Sequence, residues 1–382
     1  METIKGKYIT ANIYTTLNPE TNFDQYAKKQ LQMLCDNECQ AGSRIRVMPD
    51  VHPGKVGTIG LTMTVGDRLM PFLTGIDIGC GVTIARIAKG KREWKKLDSL
   101  IKSSIPSGFQ IRQKPHVKSG DFDYSRLACA GHIRREKAAL ALGTLGSGNH
   151  FIEVDADGQD MYLLVHSGSR HLGKEVTEYY VSQGQAGLNA QGIVVPYELT
   201  WLEGELKDSY IHDCMILQEY AELNRVIIIS EILKGMKWKA SEIYSCPHNY
   251  IAVDEQTMSI FGAPILRKGA VSAMNGERIM IPINMRDGVI LGTGLGNKDW
   301  NCSAPHGAGR IMKREDVSQK YTTAQYKMEM KNVHSMSVNA QTLDEAPFAY
   351  RALNEIAEAI GETVKIEKIL KPVYNFKASD GR

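Results

Sequence analysis

The sequence has no run approaching the roughly 18 apolar residues of a membrane span, and its start, METIKGKYITANIY, has no apolar leader core. No membrane association is expected. Charge of one sign is also missing: 46 Lys and Arg against 43 Asp and Glu leave a net charge of +3. Any nucleic-acid contact must therefore come from local basic patches. Cysteine is sparse, odd in number at seven, and scattered, so there is no disulfide framework to read and a reducing, cytoplasmic home is expected. No Pro/Ser-rich linker, low-complexity tract or fixed-period repeat divides the chain. What is there is 382 residues, 43% hydrophobic and 23% charged, enough for a sizeable core and expected to form one domain over 1–382.

Periodicity predicts helices over 23–34, with the apolar spacing of FDQYAKKQLQML, and over 92–105, whose basic face is solvated. The longest helical stretch, 197–235, reads as two helices, and further helices are expected near 320–333 and 346–361. RIRVM, VGTIGLTMTV, VTIARI and MYLLVHSGS read as strands bounded by glycine, and ERIMIPINMRDGVILGTG as strands with a turn near RDG. A short strand, PVYNF, closes the chain. Short strands, long helices and glycine loops together predict an α+β domain with central sheets flanked by helices. The helices are too irregular for a doubly wound sheet.

Chemistry gathers in the loops. Residues 75–81, GIDIGCG, set Asp77 and Cys80 three apart among glycines. That pair reads either as a buried cysteine beside a turn aspartate or as two metal ligands. Of His150, His166, His248 and His306, three stand next to strand-like runs with glycine, serine or proline beside them. One such histidine is usually structural; four are harder to dismiss. Small neighbours let imidazoles cluster, and with Asp77 and Cys80 they make an O/S/N set suited to Mn²⁺, Zn²⁺ or Fe²⁺. A thiolate has lone pairs enough to bridge two ions, which would give the glycines a reason. His52, flanked by Asp50 and Lys55, is placed near the site, and His171 reads either way. His116, His132, His212 and His334 read as structural or exposed, as do Cys35 and Cys39, a lone C-x3-C pair without a partner pair.

GTLGSGNH, HSGSRHLG and PHGAGR offer backbone N–H groups to phosphate oxygens, yet none is a P-loop, and GTGLGN lacks the G-x-G-x-x-G spacing. Arg170, Arg267, Lys268, Arg286 and Arg310 lie in or beside such segments. These features point to a metal-assisted reaction at phosphorus.

Eight motifs in order resemble those of the RtcB-type RNA ligases: MPDVHPG (48–54), GIDIGCG (75–81), GSGNHFIEV (146–154), HSGSR (166–170), PHNY (247–250), RKGA (267–270), HGAGR (306–310) and DEAPFAY (344–350). The resemblance spans nearly the whole chain. It implies joining of RNA 3′-phosphate or 2′,3′-cyclic phosphate ends to 5′-hydroxyl ends, with GTP and two Mn²⁺ ions, in tRNA splicing or RNA repair. An activating protein partner is compatible with it. By the same resemblance, the manganese ligands are Asp77, Cys80, His150, His166 and His248, with Cys80 as bridge, and His306 is the nucleophile that becomes guanylylated. Nucleotide contacts fall on Asn149, Glu153, His248, Asn249, Pro282, Asn284, Met285, His306, Gly307, Ala308, Gly309, Arg310, Tyr350 and Lys377.

The chain departs from the family pattern in places. PINMR (282–286) stands where the family has Pro-Gly-Ser-Met-Gly, with Arg286 as a stand-in contact, and Val289 stands for a pocket serine. Lys377 is followed by ASDGR instead of glycine alone. Two other readings use the same residues. A binuclear metal phosphodiesterase or phosphatase acting on RNA ends would need the ligand set but no nucleophilic histidine. A silent RNA-binding protein would need neither.

Overall fold

The computed structural model describes residues 2–15 and 23–378. Two sheets meet at the chemistry. The smaller, six-stranded sheet runs Glu2–Lys5, Thr10–Ile13, Ile45–Pro53, Thr58–Thr64, Ile265–Lys268, Asn249–Ala252. The larger, seven-stranded one runs Lys239–Pro247, Gly81–Lys89, Met161–Ser167, Phe151–Ala156, Val364–Lys377, Gly288–Gly294, Arg278–Asn284. Strand Lys239–Pro247 of the large sheet passes through His248 directly into Asn249–Ala252 of the small one, so His248 is the joint between sheets.

The α+β architecture matches the expectation, and the strands read from the sequence are present. They are built from β-branched and apolar residues whose alternate positions face different cores: Ile152 and Val154 pack in one apolar cluster, while Phe151, Tyr162 and Leu164 pack in another. The RDG turn closes the hairpin of Arg278–Asn284 with Gly288–Gly294. Helices Gln25–Cys35 and Trp94–Ser104 lie where periodicity put them, the second burying Leu97 and Ile101.

Four readings need correction. Residues 204–236 form one helix of 33 residues, about 50 Å long at 1.5 Å per residue, not two. Its buried residues fall on changing sides, from Tyr210 and Cys214 to the run Ile227–Ile229. That shift blurs a single stripe, which is why the sequence looked broken. A 21-residue helix, Arg170–Ala190, follows the HSGS loop over residues for which the periodicity predicts no element. The stretch 346–361 holds a 3-10 turn at Pro347–Ala349 and a short helix Leu353–Ala359, and 320–333 holds Thr323–Glu329 after a separate helix Arg314–Lys320. The closing strand is 14 residues, Val364–Lys377, not five. It pairs first with Gly288–Gly294 and then, from Lys371 on, with Phe151–Ala156, a bulge between Pro372 and Tyr374 interrupting the second pairing. Lysines and a proline hid its first half.

Among the described residues, no helix is long and apolar enough to cross a membrane. Cys35 ends its helix and Cys39 sits in the 3-10 turn Glu38–Gln40; both are buried, and burial pushes their thiols up to about 11 and about 12. They pack as small apolar groups.

Candidate functional site

Register brings the ligands together. Four neighbouring antiparallel strands of the large sheet end on one line: Val82 lies opposite His166 and Cys246, and Phe151 lies opposite His166. Cys80 and His150 each immediately precede their strand, and His248 immediately follows its own. Residues up to 168 positions apart in sequence, Cys80 and His248, thus converge at one sheet end.

Two groups result, Asp77–Cys80–His150 and Cys80–His166–His248, with ligand atoms within 4.8 Å of one another and Cys80 common to both. Sγ of Cys80 lies 3.5 Å from Nε2 of His150 and 3.3 Å from Nε2 of His166. Nε2 of His166 is 3.2 Å from that of His248, and Nε2 of His150 is 3.1 Å from Oδ2 of Asp77. The outer nitrogens fix the tautomers. Nδ1 of His150 donates to the Leu145 carbonyl at 3.0 Å, and Nδ1 of His166 to the Asn149 carbonyl at 3.2 Å. A carbonyl only accepts, so Nδ1 carries a proton in both rings, and in the neutral form of each the Nε2 lone pair faces the cluster.

Burial keeps His166 and His248 well below the ordinary histidine range and therefore neutral. Burial, then the Asp77 charge, pushes the Cys80 thiol well up, so a thiolate here requires a cation beside it. Burial works against the Asp77 charge, but the contact with His150 and the charge of Arg170 outweigh it and hold Asp77 near about 2. One anionic oxygen, one thiol and three imidazoles suit two borderline divalent ions sharing the sulfur. Gly168 makes room: a Cβ there would stand 2.1 Å from Oδ1 of Asp77.

The loops are stitched from below by the long helix. Buried Arg225 donates to Thr83 Oγ1 and to the carbonyls of Gly79 and Ser167, each within 2.9 Å. Asn224 accepts from the amides of Gly143 and Thr144 through Oδ1, and its Nδ2 donates to Ser167 Oγ. Neither residue stood out in the sequence.

His306 comes from the other side, after the short strand Ser303–Pro305. Its ring is 4.8 Å from that of His248, and His52 lies 6.4 Å away, parallel to it. Nδ1 of His306 is 2.7 Å from Oδ2 of Asp50, which also accepts the His306 amide at 3.2 Å. The carboxylate is wholly buried on strand Ile45–Pro53. In the neutral ring the proton is therefore on Nδ1, and Nε2 is the free nitrogen. His52 is kept neutral by burial, down at about 4. Gly309 has φ +72, and a Cβ on it would lie 2.2 Å from the Asp50 carbonyl, so the HGAGR turn can wrap this strand only with glycine there.

A cavity of about 670 Å³ opens on the cluster, within the roughly 300–1,000 Å³ range of small-molecule sites. Its lining includes Asn149, Glu153, His166, His248, Pro282, Asn284, Met285, His306, Gly307, Ala308, Gly309, Arg310, Tyr350 and Lys377. Asn249 is not in that lining: it accepts the Gly269 amide at 2.8 Å and donates to the Asp77 carbonyl, so it braces the ligand loop. Asn284 lines the wall, but its polar atoms close the hairpin by bonding Asp287 and the Arg286 amide.

Arg286 is tied to Asp287 and Glu329 outside the lining, so the stand-in contact is not made. Val289 is buried in its strand opposite Pro282. Arg267 and Lys268 are internal struts: the first bonds Ser303, Tyr250 and the Cys302 carbonyl, the second the carbonyls of Val56 and Phe72. The end of the ASDGR tail, 379–382, lies outside the described residues.

One wall is organised by Glu345, which the sequence reading passed over inside DEAPFAY. It is buried and takes Lys377, Arg310 and Arg314 as ion-pair partners and the Tyr350 hydroxyl at 2.6 Å. Burial raises its carboxyl, but these cations win and hold it well below the carboxylate range. The remaining histidines are local: His171 faces Glu175 one helical turn on, His116 faces Glu231, His132 stacks on Tyr179, His212 bonds the Arg126 carbonyl and His334 bonds Asp98.

A histidine held by a buried carboxylate, beside two ligand groups that share one thiol and could hold metal, faces a nucleotide-sized cavity, the layout of a candidate phosphoryl-transfer site. The family model described as tRNA-splicing ligase RtcB matches residues 37–126 and 115–378, and the chain belongs to that family of RNA ligases. The RNA-splicing ligase RtcB of Escherichia coli K12 is 29% identical over 370 residues, covering 87% of this chain and 90% of that protein. RNA-splicing ligase RtcB2 of Escherichia coli ATCC 25922 is 26% identical over 99% of both chains. The tRNA-splicing ligase RtcB of Pyrobaculum aerophilum is 24% identical over 85% of each.

Proposed function

We propose that this chain is a GTP- and Mn²⁺-dependent RNA ligase that joins a 3′-phosphate or 2′,3′-cyclic phosphate end to a 5′-hydroxyl end through a guanylylated His306. The observation that supports it most is the pairing of His306 with buried Asp50 beside the two ligand groups sharing Cys80. A hydrolase using the metals alone has no need of a histidine locked in one tautomer.

Two divalent ions held by Asp77, Cys80, His150, His166 and His248 would supply positive charge against phosphate oxygens. Asp50 keeps the proton on Nδ1 of His306, so Nε2 attacks the α-phosphorus of GTP with its lone pair. The N–P bond forms as the α–β P–O bond breaks and pyrophosphate leaves. The GMP then passes to the RNA 3′-phosphate, freeing His306, and the 5′-hydroxyl displaces GMP to form the phosphodiester. A cyclic phosphate is first opened by water. Backbone amides of the Gly307–Gly309 turn and the Arg310 side chain border the cavity where the nucleotide phosphates would lie. Glu345 fixes the orientations of Lys377, Arg310 and Tyr350 along the same wall.

The test is incubation of purified protein with labelled GTP and Mn²⁺, then with RNAs carrying each combination of ends. Covalent label on protein, followed by joining of 3′-phosphate to 5′-hydroxyl ends only, is the expected result. Removal of the end phosphate without any GTP requirement would favour the binuclear phosphatase reading instead.

A further inference from the structure

The strand that supplies Glu153 to the cavity carries a second carboxyl group, outside the lining, with no role in the scheme above. Asp155, on strand Phe151–Ala156, is fully buried, and neither of its oxygens has a hydrogen-bond donor. An ionised carboxylate in that setting is too costly to persist. Two residues earlier on the same strand face is Glu153, the buried carboxylate of the cavity lining; Asp24 and Glu315, its other acidic members, are exposed. The two carboxyls face different partners. Glu153 Oε2 accepts from the Asn375 amide and feels the charge of Lys377. Asp155 lies opposite Tyr162 and Pro372, with only the more remote charge of Lys371 on its side. Tyr162 directs its hydroxyl to Asp157, so it cannot serve Asp155.

We infer that Asp155 and Glu153 share one proton, with Asp155 the acid that donates to Glu153, so that Glu153, already placed among the nucleotide contacts, stays an anion. The inference rests on reading the cavity as a GTP site. Two carboxyls enclosed together cannot both ionise, and the one with fewer donors keeps the proton. Burial pushes both upward, Glu153 to about 7 and Asp155 well above its ordinary value, with the Glu153 charge adding to the Asp155 shift. Guanine offers adjacent N1–H and N2–H donors, which a carboxylate accepts as a pair. Adenine offers a lone pair at N1, which a carboxylate repels. Asp155 touches no substrate: it is a positioning residue that sets the charge of the group that does.

Two measurements test this. Infrared difference spectra of the nucleotide-free protein at about pH 7 should show the carbonyl stretch of a protonated, water-excluded carboxyl, lost in Asp155→Asn. Calorimetric titration of the Mn²⁺-loaded protein should show GTP preferred over ATP. Asp155→Asn, which keeps a donor to Glu153, should retain that preference. Asp155→Val, which removes the donor and lets Glu153 take up a proton, should lose about tenfold in GTP affinity near pH 7 and regain it near pH 8.5, as one unit of carboxyl shift requires. Thermal melts screen the Val variant for misfolding, and the Asn variant answers if it fails. GTP binding by Asp155→Val equal to wild type at every pH, an Asn variant as weak as Val, or no protonated-carboxyl band would each overturn the inference. A wild-type protein that binds no GTP would sink the ligase reading, while the infrared band would still decide whether the proton is shared.

Discussion

Replacing Asp50 with alanine should slow the loading of GMP onto His306 without emptying the metal site. Asp50 is wholly buried, contributes no atom to either ligand group, and holds both Nδ1 and the backbone amide of His306. Removing it deletes a charge-assisted hydrogen bond worth about 1.5–3 kcal/mol, or roughly 10- to 150-fold in rate if the full amount is felt in the transition state. The tautomer would also be lost, and a proton on Nε2 removes the nucleophilic lone pair, so the upper end is expected. Asp50→Asn separates the two effects. Its carbonyl oxygen can still accept from Nδ1, keeping the tautomer but losing the charge, so a loss of about tenfold is expected. Single-turnover appearance of the GMP adduct by intact mass, at saturating GTP and Mn²⁺, measures the rate, and metal analysis confirms that the ions remain. Loading of Asp50→Ala at the wild-type rate would refute the reasoning.

Cys80→Ser should bind markedly less manganese and lose ligation, because no alkoxide forms at neutral pH to replace a thiolate shared by both ligand groups; unchanged metal content would remove Cys80 from the bridge. Glu345→Gln should destabilise the protein at neutral pH by roughly 3 kcal/mol, since it leaves Lys377 and Arg310 buried without an anion. The Glu345 carboxyl is depressed in the fold, so its contribution is full above its ordinary value of 4.5 and fades as pH falls below it. Melting curves of the two proteins should therefore converge in acid, and a gap that persists there would contradict the ion-pair account. Added salt should weaken RNA binding more steeply than GTP loading, as RNA relies on dispersed cations and counterion release; equal slopes would argue against that division.

The side-chain cluster that could hold metal was legible in the sequence because such a cluster makes local demands. Asp77 and Cys80 share one glycine turn, and each histidine needed small neighbours to approach the others. The α+β class and most strands followed from apolar alternation for the same reason: the signal is local. What escaped depends on distance along the chain. Asp50 and His306 are 256 positions apart, and nothing near Asp50 marks it as the partner of that histidine. Arg225 and Asn224 sit inside an apolar helical run, where an arginine reads as surface until the fold buries it against Gly79, Thr83 and Ser167. The reverse error has the same origin. Arg267 and Lys268 looked like phosphate contacts beside a glycine, yet their charges are consumed by hydroxyls and carbonyls inside the sheet junction. Strand Val364–Lys377 was shortened because its exposed lysines and Pro372 mask pairing that only its two neighbours reveal.

The central claim is that His306 is the atom-bearing partner of GTP while the metals are held by other residues. Its most direct test is mass spectrometry of wild type and His306→Ala after incubation with GTP and Mn²⁺, with metal content and thermal stability measured on both. The account predicts a gain of one GMP on wild type, mapped to His306, and none on the alanine variant, which should keep its manganese and its stability. A GMP adduct on His306→Ala would contradict it.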